Sequence, residues 1–209
     1  MKKIFTETVS SIMMLTFLSF MLFSCSQPAE QADAEQTAEA MQPEEPSQEE
    51  LIAMGAHLVK TMGCHDCHSP KMMTPDGPVP DPERLLSGHP ADEALAEYDP
   101  ALVEPGKFIL MNQGITAFAG PWGTSYAGNL TSDATGIGNW TEESFKIALT
   151  EGWFKGVRDS RKLLPPMPWP NLTELTDEEI HAMFTYLMST KPIENIVPPP
   201  APPGGAVES

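Results

Sequence analysis

Cys64-His65-Asp66-Cys67-His68 is the stretch of the chain whose residue types and spacing carry a definite chemistry. Two thiols three positions apart, followed at once by an imidazole, form the attachment pattern of a c-type haem. The thiols reach the two vinyl groups on one side of a porphyrin, and His68 falls beneath the ring, where its nitrogen can ligate iron. Thioether bonds prevent cofactor loss unless covalent bonds break. Two other uses of such thiols make further demands. A dithiol redox pair follows a strand in a βαβ unit, and no such pattern surrounds residues 64–67. A zinc site needs two more Cys or His ligands at suitable spacing, but the third cysteine of the chain, Cys25, lies in a different context. The expected cofactor is therefore one covalent haem c on Cys64 and Cys67, with His68 as an axial ligand.

A low-spin electron carrier needs a sixth ligand. The candidates are His57, His89, His181 and the methionines. Met183 and Met188 fall on the apolar stripe of a helix, which assigns them to the core. Met54 and Met62 lie on an earlier helix and are expected in the core, as is Met111. Met72 and Met73 follow His68 too closely to reach the opposite ring face without a tight return. Met167 stands in Leu164-Pro165-Pro166-Met167-Pro168-Trp169-Pro170. A proline-restrained loop has little freedom left to lose, so it can hold a weak thioether ligand. Among the remaining residues, His89 reads as a surface-loop histidine, with a second metal ligand or a haem-propionate partner as the alternative, and His65 as an exposed spacer. Trp122 and Trp140 read as core or pocket-edge residues. Lys155, Arg158, Arg161 and Lys162 form the only basic cluster, either a solvated loop or a docking patch.

Helices must position these groups. Ser47 and Glu50 make a capping box ahead of a helix over 49–62, with Leu51, Gly55, Leu58 and Met62 on one face. A second helix is expected over 142–151, with Phe145, Ala148 and Leu149 on one stripe and Gly152 as its stop. Thr176 and Glu179 cap a third, in which Ile180, Met183, Phe184, Leu187 and Met188 follow the helical period until Pro192. Residues 69–139 are rich in Gly and Pro, with short helices expected near 81–86 and 99–114 and no run of alternating strands. The expected fold is all-α, a helical domain with long loops around one haem.

The ends differ in character. After Lys2 and Lys3, residues 12–23 form an apolar run of about 12 residues, too short for the roughly 20 of a membrane span but suited to a secretory signal. It ends in Leu22-Phe23-Ser24-Cys25, which resembles the lipobox of bacterial lipoproteins. That resemblance implies cleavage before Cys25, lipid on its sulfur and amine, and tethering to a membrane. Residues 26–50 are acidic, lack Lys and Arg, and read as a disordered tether. The Pro-rich C-terminus reads as an extended tail. The expected plan is a signal peptide over 1–24, a tether over 25–48, a domain over 49–194 and a disordered tail over 195–209. With 12 Lys+Arg against 29 Asp+Glu in 209 residues, the net charge of −17 excludes nucleic acid as a partner.

Several stretches carry a family resemblance. They are Gly55-Ala56-His57-Leu58-Val59, Asn129-Leu130-Thr131-Ser132-Asp133, Thr135-Gly136-Ile137-Gly138-Asn139-Trp140, Pro166-Met167-Pro168-Trp169 and Leu175-Thr176-Asp177-Glu178-Glu179. With the haem motif, they make residues 51–192 resemble a class I c-type cytochrome, in the branch of the cytochrome c subunits of membrane-bound alcohol and sugar dehydrogenases. The resemblance implies His68 and Met167 as axial ligands and a first helix packed across the last at Gly55, against Phe184 or Tyr186. Such subunits carry three haem motifs; this chain carries one. The implied role is a lipid-anchored electron carrier of the bacterial cell envelope, facing the periplasm. It would serve redox partners such as a dehydrogenase, a quinol-oxidising complex or a terminal oxidase or reductase. Alternatives are a haem-based sensor and a subunit of a larger oxidoreductase complex.

Overall fold

The computed structural model describes residues 45–203; Cys25, the apolar run before it and the acidic stretch up to residue 44 lie outside the described residues. Helix α1 (Gln48–Thr61) starts where the capping box places it. The Ser47 N–H donates to Glu50 Oε2 at 2.8 Å and the Glu50 N–H donates to Ser47 Oγ at 3.3 Å. The five residues Cys64–His68 form a short helix α2. Helix α3 (Glu142–Lys146) continues into a π-helical turn (Ile147–Glu151) that ends at Gly152, φ 70°. A Cβ on Gly152 would lie 2.4 Å from the Trp169 indole. The last helix, α4 (Asp177–Met188), carries the second capping box, between Thr176 and Glu179.

Helices α1 and α4 cross at Gly55. A Cβ there would lie 2.0 Å from the Ala182 carbonyl oxygen and 2.7 Å from Tyr186 Cβ. The close approach brings Val59 against Ile180, Met183 and Leu187, and Leu86, Ile137 and Phe145 complete this core. The Phe145 and Phe184 rings meet at 5.5 Å.

The all-α expectation fails between α2 and α3, where two small antiparallel sheets stand. Strand β1 (Lys71–Thr74) pairs with β2 (Gly77–Pro80). Strands β3 (Leu110–Met111), β4 (Ala117–Gly120) and β5 (Gly123–Tyr126) form the second sheet, in that order. The sequence conceals both for physical reasons. The β2 strand contains Pro78 and Pro80, which read against a strand and are tolerated because this two-stranded pair is all edge. Strand β4 is buried along its whole length and β5 nearly so. No polar–apolar alternation survives there, and their Gly and Ala residues carry little strand preference. The short helix expected near 81–86 is a series of turns, and only Pro100–Val103 is helical within 99–114, as one 3-10 turn capped by Asp99.

The tail departs from expectation as far as it is described. The Asn195 side chain donates to the Ser87 and His89 carbonyls at 2.7 and 2.8 Å. Thr124 and Ala201 exchange backbone bonds of 2.9 and 3.0 Å, so the tail lies along β5. Residues 195–203 are thus stitched to the domain. No helix among the described residues is long and apolar enough to cross a membrane.

Candidate haem-binding site

Gly63, at φ 73°, turns the chain out of α1 and starts α2. On α2 the two thiols stand at i and i+3 and therefore share a face. Both are half-buried, and Cys64 packs against the core. Burial pushes the Cys64 thiol up to about 11 and raises Cys67 as well. A dithiol redox pair requires the opposite shift, toward thiolate. Among the described residues, no group of three or more His, Cys, Asp or Glu is placed to hold a metal ion.

His68 is oriented by a single short bond, with Nδ1 2.7 Å from the Gly128 carbonyl oxygen. A carbonyl only accepts, so Nδ1 carries the hydrogen and Nε2 keeps its lone pair. Such a bond on the far nitrogen sets the tautomer and orientation of a ligating histidine. Burial lowers the His68 pKa and so favours the neutral, ligating form; the bond to Gly128 opposes that shift. The backbone on both sides is fixed. Gly88 donates to the His68 carbonyl at 2.8 Å, His89 to the Ala127 carbonyl at 2.9 Å, and Leu130 to the Leu86 carbonyl at 2.8 Å. Gly88 has φ 79°, and a Cβ on it would lie 2.6 Å from the Ala127 oxygen, so this approach requires glycine. Two neighbouring thiols and an imidazole with its outer nitrogen engaged fit covalent haem.

Met167 is half-buried on a separate loop whose flanking prolines, Pro165, Pro166 and Pro168, are exposed. Its N–H donates to the Leu164 carbonyl at 3.2 Å, and Leu163 donates to the Gly152 carbonyl at 2.8 Å. The loop is attached to β5, where Ser125 Oγ donates to the Pro165 carbonyl at 2.6 Å and accepts from Trp122 Nε1 at 3.2 Å. One strand and its exit thus hold both candidate ligand segments, Met167 through Ser125 and His68 through Gly128.

The other candidates divide. Met183 is buried in the core, as its stripe predicts. Met54 and Met111, expected in the core, are exposed, as are Met72 and Met73 on β1. His57 is exposed, and His181 pairs with Glu142 at 2.8 Å. His89 is fully buried rather than on the surface. Its Nδ1 lies 2.9 Å from Thr116 Oγ1, and its ring packs on Tyr126 at 4.8 Å. His65 is half-buried, with Nδ1 3.0 Å from Ser69 Oγ. Trp140 packs against the core. The basic cluster is largely engaged within the chain. Arg158 pairs with Glu151, Lys162 lies 3.4 Å from the Trp153 ring centroid, and Arg161 lies 3.7 Å from that of Phe154.

No protein-family model matches the chain. Curated relatives do. The chain is 38% identical over 88 residues to a nicotinate dehydrogenase subunit of Pseudomonas putida, a match covering 42% of this chain and 7% of that protein. It is 42% identical over 76 residues to the cytochrome c subunit of a quinone-dependent alcohol dehydrogenase of Gluconobacter oxydans, covering 35% and 15%. It is 37% identical over 92 residues to the fructose dehydrogenase cytochrome subunit of Gluconobacter japonicus, covering 43% and 18%. The chain spans less than a fifth of the length of each of these relatives.

Sequence reasoning missed Gly128, Ser125 and Asn195. The first contributes only a carbonyl and the other two act on backbone groups distant in the chain, so no local pattern marks them.

Proposed function

We propose that the chain is a monohaem c-type cytochrome of class I that carries single electrons between redox partners. The observation that carries this reading is the His68 ring on the Cys64–Cys67 helix, its Nδ1 engaged by Gly128 and its Nε2 left to donate. Haem c, when bound, supplies a one-electron iron couple. Cys64 and Cys67 would hold it as thioethers, and His68 and Met167 would be its axial ligands. A histidine–methionine pair favours a high potential. With His68 and Met167 both holding the iron, no open position would remain for a substrate, which fits electron transfer and not substrate turnover. Cytochrome subunits among the relatives support a dehydrogenase as one redox partner.

The same reading places the chain in the bacterial cell envelope, held by lipid on Cys25 and facing the periplasm. Residues 1–24 would be removed, and the acidic stretch that follows Cys25 would tether the electron-carrying domain that begins at the α1 cap, Ser47. Spectra of the oxidised and reduced protein, with the pyridine derivative, test thioether attachment of a single haem. The oxidised protein should show the weak far-red sulfur-to-iron band. Met167→Ala should abolish it and lower the reduction potential. A band that survives this substitution moves the sixth ligand to another methionine.

A further inference from the structure

We infer that Ser125 is a positioning residue for the Met167 loop, its hydroxyl holding the loop in the conformation that presents the thioether. The inference rests on the reading of Met167 as the sixth ligand.

The loop is poor in means of holding itself. Pro165, Pro166 and Pro168 have no N–H, so they cannot tie the loop to neighbouring backbone as donors. The one donor among residues 165–168, at Met167, turns inward to Leu164. Backbone hydrogen bonds from residues 165–168 to the rest of the fold must then run through the loop's carbonyls, beside the packing of Trp169 on Gly152. Ser125 Oγ supplies such a bond, donating at 2.6 Å to the carbonyl of Pro165, two residues before Met167.

Ser125 is well placed for this. It is 7% exposed, so water competes little for its hydroxyl. Its own position is fixed from three directions. It stands opposite Phe118 on β4, its neighbour Thr124 is paired to Ala201 of the tail, and Trp122 Nε1 donates to its oxygen at 3.2 Å. A hydroxyl that accepts from the indole has its hydrogen free to aim at Pro165.

The consequence is an equilibrium. A thioether holding the iron would leave it if its loop swung away, and the Ser125–Pro165 bond exists only while the loop is in place. The bond therefore favours the methionine-on state by its net worth, roughly three- to tenfold in the equilibrium constant.

Exogenous imidazole measures this equilibrium, because it binds oxidised iron only as the methionine departs. The readouts are the midpoint of an imidazole titration of the oxidised holoprotein and the loss of the far-red band. Ser125→Ala should keep the band without imidazole and lower the midpoint about three- to tenfold. Ser125→Thr should titrate like wild type, and Ser125→Val, matched to it in shape, should titrate like Ser125→Ala. The Thr and Val pair stands in if Ser125→Ala fails to fold. Met167→Ala supplies the control for the axial reading. If the far-red band persists in it, the Met167 assignment falls whatever Ser125 does.

With that assignment intact, a wild-type midpoint in both Ser125→Ala and Ser125→Val overturns the proposal. Equal midpoints for the Thr and Val variants do so too, since shape rather than the hydroxyl would then matter. A structural role is separated by Ser125→Ala in the Met167→Ala background. With no methionine to displace, the midpoint should not move. If it shifts as far as in the parent, the effect is general loosening and Ser125 does not act through the loop.

Discussion

Asp133 ties a turn beside the core segment that carries Leu130. Its Oδ1 accepts from the Thr135 N–H at 2.8 Å and from Thr135 Oγ1 at 2.6 Å. These bonds hold its carboxyl below the usual carboxylate range. Because the folded value is depressed, the stabilisation is complete above the unfolded pKa and is lost as pH falls through the folded one. Asp133→Asn should therefore unfold more easily than wild type at neutral pH, and the gap should close as the solution is acidified. Denaturant midpoints of both proteins across the acid range check this, and parallel curves would contradict it. Residues whose partners lie close in the chain are legible from sequence in this way. The Cys-x-x-Cys-His pattern spans five residues, and the proposed haem attachment rests on that local spacing. Gly128 and Ser125 are not legible, because their bonds to His68 and Pro165 join positions 60 and 40 residues apart. His89 reads as a surface residue because His-Pro after glycine looks like an exposed turn, whereas the fold closes over it from Thr116 and Tyr126.

At the level of elements, the crossing of α1 and α4 depends on the missing side chain of Gly55. Alanine would ordinarily help a helix by about 1 kcal/mol over glycine. Here its Cβ would sit 2.0 Å from a backbone carbonyl oxygen, which cannot swing aside as a side-chain end can. Forcing the helices apart costs roughly 1–3 kcal/mol, and more where backbone must move, which outweighs that gain, so Gly55→Ala should lower the thermal midpoint of the holoprotein. An unchanged or higher midpoint would show that the helices slide freely at this crossing. Both capped helices are readable from sequence, since a capping box and an apolar stripe are local signals. The second helix is readable to its Gly152 stop, although its last turn is π-helical. The sheets are hidden by burial on both faces and by proline on an edge, and both conditions erase the period-two pattern on which strand reading relies.

For the whole molecule, the proposed anchor makes the thiol at position 25 decisive for where the protein resides. Cys25→Ser should leave an unprocessed precursor that still carries haem on Cys64 and Cys67. Fractionation with mass determination reads both points, and normally processed, membrane-bound protein would defeat the anchor. At a net charge of −17, long-range attraction should favour partners with a basic face, and association should slow as salt rises. The tail stitched along β5 has a consequence of another kind, one of timing. A chain delivered N-terminus first presents Cys64, Cys67 and His68 while Gly128 is still 60 residues behind. The residues that tie down β5 and the 87–89 loop, Ala201 and Asn195, come later still. Under the proposed export, the Cys64–His68 motif would thus emerge before the residues that wall it, which leaves it open to the proposed haem attachment. The bonds that Gly128, Asn195 and Ala201 make to His68, to the 87–89 loop and to Thr124 can close only once those later residues have followed.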